Sequence, residues 1–515
     1  MRKTYLFLLY LLVALSGCDL DLAPENTLVD EKVFKNKNTS EAALMGAYVR
    51  LNGTIAGAPS DQNYYAKIGY LYLFGDVGTD NLKVQPTASD YLAMETSSYT
   101  EAEHNGFLLD MWRQAYNGID YANAIIKGIQ TYGAYDEASM RQHIAEARFI
   151  RGYIYLHLLQ MYGDQALMGN DDGPGVVLRL EPYDGGNQGE VVHRATNAQV
   201  WEQIIKDFTE PLNDLPATAP SAVTERLRAT QPVVKALLSR LYLYKGTYTN
   251  NQEELALAKN YANEVLASGA YAFATDSTEY LNNLFPQNIN TNDDSENFTQ
   301  PTGRSSEIIF FQASRLKKDL YPSGIYMYYG KRSFYVPDGM KEYYEANDVR
   351  GYNTDTKGNP FLLFQGSSTE NSNLITSMKY SNSSFSDYNN DVIYIRLAEI
   401  KLNYAEAIAR TEGVTQEAVG QLNDVRRRAF AESKRPDDYV TGQFASVDDF
   451  LKVLLKERNR ELAYEGLHRW DIIRTNNLEG DATMGAVDPK RWNAPIPSYE
   501  VEISYGNVEQ NSGYK

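Results

Sequence analysis

Apolar side chains recur at alternating spacings of three and four residues in several long stretches, and this pattern constrains the fold more than any other feature. Such spacing places one face of an α-helix against a core. Gly163 and Gly269 follow two of the stretches and provide natural helix ends. The sequence therefore predicts a mainly α-helical fold with little β-structure. The stretches are AEARFIRGYIYLHLLQMYG, TQPVVKALLSRLYLYKG, EELALAKNYANEVLASG and YIRLAEIKLNYAEAIAR.

Two of the predicted helix pairs share a residue pattern. A small residue where two helices cross, followed by larger ones, is typical of tetratricopeptide-type helix pairs. The chain has no tandem run of the usual period of roughly 34 residues, so we predict helical hairpins that long insertions separate. The matching positions are Ala258, Ala262 and Val265 on one second helix, Ala418, Leu422 and Val425 on the other, and Tyr244 and Tyr404 on the first helices.

Two long segments, residues 61–106 and about 270–390, lack sustained periodicity and are rich in Asn, Ser, Gly, Asp and Tyr. Loops of this length are uncommon in compact domains and are usually functional when they are ordered. A rigid helical scaffold that carries long aromatic-rich loops is a typical layout for a binding protein. We therefore predict that these two insertions face the ligand. One short strand is expected at SEIIFFQ, residues 306–312.

The N-terminus has the layout of an export signal. Residues 1–17 combine two cations with an apolar run that is too short to span a bilayer. They end before Cys18 in a sequence that resembles the bacterial lipobox, and this cysteine is the only one in the chain, so it has no disulfide partner. We expect lipidation at Cys18, with acyl chains as the membrane anchor. An extended tether over 18–38 then leads to a first helix near Thr39 or Ser40.

The charge balance argues against polyanionic partners. The chain has 49 basic and 67 acidic residues and a formal net charge of -18. A surface this negative repels phosphate backbones, so we expect no binding to nucleic acid. The aromatic residues are mostly tyrosine, with 40 Tyr against 18 Phe and 4 Trp. Tyrosine joins an apolar face to a hydroxyl and therefore suits wet contact surfaces as well as half-buried helix packing.

Metal-binding patterns are weak. Glu465 and His468 have the E-x-x-H spacing of di-iron bundles, but that chemistry needs a second copy and the chain offers none. His157 lies on an apolar helix stripe, where a core histidine is the favoured interpretation. Residues 290–298, NTNDDSENF, could hold calcium through oxygen ligands, although they lack the EF-hand spacing and a solvated acidic loop is favoured. We expect no cofactor or metal, with calcium in this loop as the open alternative.

Glu457 and Glu461 form the best catalytic candidate. Two carboxylates about 5 to 9 Å apart could serve a glycosidase, but any pair of glutamates four apart on a helix meets that condition. The neighbouring Arg458, Arg460 and Arg469 are expected to lower the pKa of both carboxyls, whereas a general acid needs a raised pKa. A structural ion-pair network is the favoured interpretation, and we predict that the protein is not an enzyme.

Loop tyrosines are the candidate ligand contacts. A pyranose stacks its C–H face on a flat ring while its hydroxyls bond to neighbouring polar groups, and the same kind of surface could hold a peptide. Burial is the commoner fate for any single tyrosine of this set. The candidate contacts are Asn81, Tyr91, Tyr99, Tyr321, Tyr326 and Tyr329.

Several motifs follow one another along the chain: WRQAYNGIDYANAII, EARFIRGYIYLHLLQMYGD, RATQPVVKALLSRLYLYKG, VIYIRLAEIKLNYAEAIAR, LNDVRRRA, LLKERNRELAYEGLHRWDIIR, APIPSYE and QNSGY. In this order they resemble the SusD/RagB family, the surface lipoproteins of the Bacteroidetes that capture nutrients. The resemblance spans nearly the whole mature chain. Ser512 stands where the family usually has proline.

The resemblance implies a scaffold of four tetratricopeptide-like units over 39–515 with a loop-rich face. It also implies a partner, a SusC-like TonB-dependent outer-membrane barrel, for which the lipoprotein acts as a lid on the extracellular side. The ligand is then an oligosaccharide that passes into the barrel, and the alternative is a peptide, as in the protein-uptake branch of the family. None of the four tryptophans lies in the two insertions, so any stacking platform there must use tyrosine or phenylalanine, and the ligand class stays open.

Overall fold

The structure is a computed structural model that describes residues 30–51, 67–85, 91–99, 106–183, 191–274, 276–285, 305–312, 334–352, 362–365, 374–377, 379 and 392–515. Within these residues the chain is mainly helical and its strands are short, so the predicted fold class is confirmed. The tetratricopeptide character of the hairpins stays a prediction.

The longer helices and several short ones within the described ranges are numbered in chain order. They are α1 Asp30–Phe34, α2 Lys37–Leu51, α3 Lys67–Asp76, α4 Leu92–Thr96, α5 Phe107–Tyr132, α6 Glu137–Tyr162, α7 Asn197–Thr209, α8 Gln231–Thr249, α9 Gln252–Ala267, α10 Gly339–Tyr343, α11 Leu397–Glu412, α12 Gln416–Arg428, α13 Val447–Leu462, α14 His468–Arg474, α15 Ala482–Gly485 and α16 Ser498–Ile503. The strands are β1 Lys83–Val84, β2 Ile308–Gln312, β3 Phe334–Tyr335, β4 Leu363–Gln365, β5 Ile375–Ser377 and β6 Val392–Arg396.

Consecutive long helices pack against one another and enclose the main core. Contacts join α5 to α6, α6 to α7, α8 to α9, α9 to α11 and α11 to α12. The predicted apolar stripe of α9 is confirmed, since Leu255, Ala258, Ala262 and Val265 are all at most 2% exposed. The helix begins where the Asn251 side chain accepts hydrogen bonds from two backbone N–H groups of the first turn, which otherwise have no partner within the helix.

The predicted helix around residues 394–410 begins later than its sequence pattern indicates. Residues 392–396 form β6, so Ile395 lies in a strand and not on the helix stripe. The run Val-Ile-Tyr-Ile is rich in β-branched side chains, which favour a strand. This strand pairs antiparallel with β2, with Gln312 opposite Val392. The strand expected at SEIIFFQ is therefore confirmed, and α11 follows directly at Leu397.

The end of the predicted tether is helical and not extended. Residues 30–34 form α1, and α2 begins at Lys37, two residues before Thr39. Phe34 is fully buried against α5, where a Cβ added at Gly128 would lie 2.1 Å from the phenylalanine ring. Cys18 and the rest of residues 1–29 lie outside the described residues. No helix in the described part of the chain is long and apolar enough to cross a bilayer.

Part of the first insertion belongs to the core. Helix α3 lies within residues 61–106, and its Leu73 and Phe74 are at most 1% exposed. The apolar run Leu71 to Phe74 shows no helical periodicity because all four of its side chains are buried. The expectation of a ligand-facing loop is therefore wrong for this helix.

Candidate functional site

Short strands bring the two insertions together. Lys83 and Val84 of β1 pair antiparallel with Tyr335 and Phe334 of β3. Beyond β3, Val336 forms a bridge with Ile375 of β5, which in turn pairs with β4. Segments that are about 250 residues apart in the sequence thus form one edge of a surface.

A cavity of about 320 Å³ lies where this surface meets the scaffold and the C-terminal segment. Its size is at the lower end of the range for small-molecule sites, roughly 300 to 1,000 Å³. The first insertion, the second insertion, the two scaffold helices α13 and α14, and the loop before α15 all contribute to its lining. The polar and aromatic lining residues are Asp80, Lys83, Tyr343, Lys456, Asn459, His468, Glu479 and Asp481.

The Asp80 carboxylate fixes one wall of the cavity by capping α15. It accepts hydrogen bonds from the backbone N–H groups of Ala482 at 2.8 Å and Thr483 at 3.0 Å. Lys83 adds a hydrogen bond to the Thr483 hydroxyl at 2.9 Å. In the other direction, the Asp80 backbone N–H donates to the Asp481 carboxylate at 2.7 Å. The first insertion is thereby clamped to the C-terminal segment.

A set of hydrogen bonds forms the floor. The Tyr343 hydroxyl donates to the Glu479 carboxylate and accepts a bond from the Asn459 amide at 3.1 Å. His468 Nε2 donates to an Asp481 oxygen at 3.1 Å. These bonds connect α10, α13 and α14 to the loop before α15, so the second insertion is also held in place.

Burial and neighbouring charges shift the pKa values on this floor. Burial lowers the pKa of His468, but the hydrogen bond to Asp481 and the nearby charge of Glu479 outweigh it and raise that pKa to about 9. His468 is therefore protonated at neutral pH and forms an ion pair with Asp481. Burial raises the pKa of Glu479 above its usual range, although His468 and the Tyr343 hydroxyl oppose the shift.

Lys456 lies on the exposed side of α13 with its ammonium 5.1 Å from the centre of the Tyr343 ring. Among the residues that the structure describes, no carboxylate forms an ion pair with this ammonium. An aromatic ring, a carboxylate at its hydroxyl end and an ammonium near its face can together contact a ligand that has both hydroxyls and an apolar face.

Two predicted contact residues are in the interior, and for them the prediction needs correction. Asn81 is fully buried, and its amide donates to Asp76 at 3.0 Å and to Asn459 at 2.8 Å. It therefore supports the cavity floor from beneath without reaching the cavity. Tyr99 is 9% exposed and packs between Phe107 and Tyr514, at ring distances of 6.3 and 6.1 Å. Its ring belongs to the core because it fills the gap between α5 and the chain end.

Tyr91 is the one predicted contact among the described residues that lies half-buried near the joined strands. Its ring meets Phe334 of β3 at 5.1 Å in an edge-on arrangement. Tyr321, Tyr326 and Tyr329 lie outside the described residues, as does the possible calcium loop at 290–298. In the described part of the chain, no group of three or more His, Cys, Asp and Glu side chains gathers as a metal site.

Sequence reasoning missed Tyr343, Lys456 and Glu479. Tyr343 lies inside the predicted second insertion, and the pair Tyr343-Tyr344 resembles many other tyrosine positions of this chain. Lys456 has the pattern of an ordinary solvated helix residue. Glu479 follows the scaffold helices in a segment without any motif, so only the folded structure brings it to Tyr343.

The predicted ion-pair network around Glu461 is confirmed, although its partners differ from those expected. Glu461 is fully buried and pairs with Arg350 at 3.0 Å, with Arg396 at 2.5 Å and with Arg428. Burial raises its pKa, but these three arginines outweigh that effect and hold the pKa well below the usual range. The expected partners Arg458 and Arg469 bond elsewhere, Arg458 to Asp471 and Asn403, and Arg469 to backbone carbonyls.

For Glu457 the predicted direction of the pKa shift is wrong. Burial raises its pKa and outweighs the ion pairs with Arg350 at 2.7 Å and with Arg460, which was expected as a partner, at 3.5 Å. Glu465 and His468, which have the E-x-x-H spacing, do not share a common site either. Glu465 accepts bonds from Lys379 and Arg396, both at 2.7 Å, whereas His468 is paired with Asp481. His157 is buried as expected, at 3% exposure, with its ring 4.3 Å from that of Tyr153.

A helical scaffold whose insertions and C-terminal segment enclose a cavity with both polar and apolar lining has the layout of a ligand-binding protein. Comparison with known proteins assigns the family. The chain belongs to the SusD family, because the model of that family matches residues 243–514, just over half of the sequence. A second family model, described as starch-binding associating with outer membrane, matches residues 64–243.

Relatives resemble the chain over nearly its whole length. SusD-like protein P2 of Formosa agariphila is 24% identical, and the match covers 100% of both chains. A crystal structure of a SusD superfamily protein from Bacteroides thetaiotaomicron has a TM-score of 0.71 at 22% identity and covers 92% of this chain and 99% of its own. A laminarin binding SusD-like protein has a TM-score of 0.66 at 18% identity, with 93% and 100% coverage. These structures support the fold.

Proposed function

We propose that the protein is a non-enzymatic glycan-binding lipoprotein that captures oligosaccharides at the cell surface. The single observation that carries this proposal is the cavity, where Tyr343 lies between a carboxylate and an ammonium at the meeting point of both insertions. Sugars present hydroxyls beside apolar C–H faces, and this lining offers a partner to each. The starch-binding description of one family model and the laminarin binding of one structural neighbour support a carbohydrate ligand.

The captured oligosaccharide is delivered to a SusC-like TonB-dependent barrel, over which the protein acts as a lid. The resemblance of the sequence motifs to the SusD/RagB family supports this partnership. Lipidation of Cys18 anchors the chain on the extracellular side of the outer membrane. The description of one family model supports the association with the outer membrane. Ligand release into the barrel needs no bond cleavage. The buried glutamates of α13 also fit this view, since the arginines around Glu461 occupy its carboxylate.

Calorimetry against a panel of malto-, laminari-, cello- and xylo-oligosaccharides tests the proposal. We expect binding of at least one of these glycans, and Tyr343→Ala should weaken it tenfold or more, about 1.4 kcal/mol. Tyr499→Ala is the matched control, because Tyr499 is a 41% exposed tyrosine on α16 outside the cavity lining. Circular dichroism confirms that both variants are folded.

Two results would contradict the proposal. One is the absence of glycan binding both by the free protein and by its complex with the transporter. The other is binding that Tyr343→Ala and Tyr499→Ala affect equally. Peptides that stay with the purified complex would instead favour the peptide-capturing alternative.

A further inference from the structure

We propose that the cavity selects uncharged glycans, with Glu479 and Lys456 as its specificity-determining acceptor and donor. This inference rests on the proposed glycan-binding function and narrows it to one substrate class. It follows from the balance of the charges that line the cavity and from the partners that each charged group already has.

Asp80 and Asp481 each already accept three hydrogen bonds from protein donors. Each carboxylate caps the start of α15, Asp80 through Ala482 and Thr483 and Asp481 through Met484 at 2.8 Å. Asp481 also receives the Asp80 backbone N–H. A carboxylate whose oxygens accept this many short bonds has little remaining capacity for a ligand.

Two of the three cations are likewise paired inside the protein. His468 forms its ion pair with Asp481 at 3.1 Å. Lys83 donates to the Thr483 hydroxyl and lies 3.7 Å from a Glu95 oxygen. Both positive charges are thus compensated before any ligand enters.

Glu479 and Lys456 are the remaining charged groups among the described lining residues. One oxygen of Glu479 accepts the Tyr343 hydroxyl, and no described residue donates a hydrogen bond to the other. The Lys456 ammonium lies 5.1 Å from the centre of the Tyr343 ring, and no described carboxylate forms an ion pair with it. The lining residues carry three carboxylates and three cations in all, so the formal charges of the lining sum to zero.

A neutral cavity with one available acceptor and one available donor fits a neutral polyol. Each sugar hydroxyl both donates and accepts, so Glu479 and Lys456 can bond to hydroxyls of the same ligand through charge-assisted hydrogen bonds. A uronate or a sulfate group must lose hydration on entry. In this cavity its attraction to the Lys456 ammonium is offset by repulsion from the Glu479 carboxylate. The difference between the affinities for neutral and for acidic glycans is the specificity of the site.

Calorimetry with paired probes at low salt tests the inference. The neutral probes are xylo- and laminari-oligosaccharides, and the acidic probes are oligogalacturonates and alginate oligosaccharides of equal length. The wild-type protein should bind its best neutral probe at least tenfold more tightly than any acidic probe. Glu479→Gln gives the cavity a net positive charge, so it should weaken neutral binding about threefold or more and tighten acidic binding. Lys456→Gln should weaken both.

Lys452→Gln, one turn earlier on α13, and Glu502→Gln on α16 are matched exposed controls and should leave both affinities unchanged. Lys456 is itself exposed, so its variant tests the inference even if Glu479→Gln fails to fold. Preference of the wild-type protein for an acidic probe would overturn the inference while leaving the glycan-binding function intact. An unchanged neutral-to-acidic ratio in both variants would also overturn it. Absence of all glycan binding would overturn the proposed function itself.

Discussion

Glu461 is the centre of a buried charge cluster that joins distant parts of the chain. Arg350 follows the second insertion's α10, Arg396 ends β6 and Arg428 ends α12, and all three reach this carboxylate on α13. Each of these side chains is at most 1% exposed. Buried arginines without a counter-charge are strongly unfavourable, so the cluster fixes the relative positions of these elements.

Glu461→Gln should lower the free energy of unfolding by about 3 to 5 kcal/mol, because it leaves three buried guanidinium groups with too little negative charge. Urea denaturation of the two proteins at pH 7 measures this difference. Glu432→Gln, on an exposed helical turn, is the matched control and should change stability by less than about 0.5 kcal/mol. A loss no larger than that of the control would contradict the structural role of the cluster.

His468 should make stability depend on alkaline pH. Its pKa is raised from 6.5 to about 9 in the folded state, so its stabilisation is complete below the unfolded pKa and disappears as pH rises through 9. The difference in unfolding free energy between wild type and His468→Gln should therefore shrink by about 3 kcal/mol between pH 6 and pH 10. Urea melts of both proteins across this range measure the difference, and a constant difference would contradict the ion pair with Asp481.

At the scale of elements, α3 meets the turn between α13 and α14 backbone to backbone. A Cβ added at Gly75 would lie 2.2 Å from the carbonyl oxygen of Gly466, and Gly466 itself has a φ of +74°. Backbone atoms cannot move aside as the end of a side chain can. The first insertion's helix is thus seated on the scaffold by two glycines at one crossing point.

Gly75→Ala should therefore destabilise the protein by about 2 to 4 kcal/mol through overpacking. Gly420→Ala is a suitable control, because Gly420 lies within α12 and has nothing within 4 Å of an added Cβ. That control should be neutral or should stabilise the protein by up to about 1 kcal/mol, since alanine favours the helix. Thermal melts of both variants measure the effects, and equal melting temperatures would contradict the close crossing.

Long amphipathic helices could be predicted from the sequence, whereas elements set by tertiary contacts could not. The stripe of α9 is visible because its opposite face is in solvent. In contrast, Ile395 continues a helical spacing into a strand, since pairing with β2 overrides the local pattern. Helix α3 is hidden for the opposite reason, because its buried Leu71–Phe74 run leaves no polar side to reveal the period.

At the scale of the whole molecule, the sequence indicated the insertions but not the cavity that they help to form. Residues of both predicted segments line it, including Lys83 from the first and Tyr343 from the second. The remaining walls come from α13 and from the loop with Glu479, which carry no pattern for ligand contact. Contacts between residues hundreds of positions apart, such as Asp80 with Thr483, have no signature in a single sequence.

Because three separate segments line the cavity, ligand binding should protect all three from hydrogen exchange together. A ligand at 100 times its dissociation constant stabilises the folded arrangement of these segments by up to about 2.7 kcal/mol. Hydrogen exchange should therefore slow together at residues 80–83, 339–343 and 479–481 when a bound oligosaccharide is present. Helix α9, Gln252–Ala267, contributes nothing to the lining and serves as the internal control. Protection confined to one of the three segments would contradict a shared site, because the clamps through Asp80 and Tyr343 couple all three.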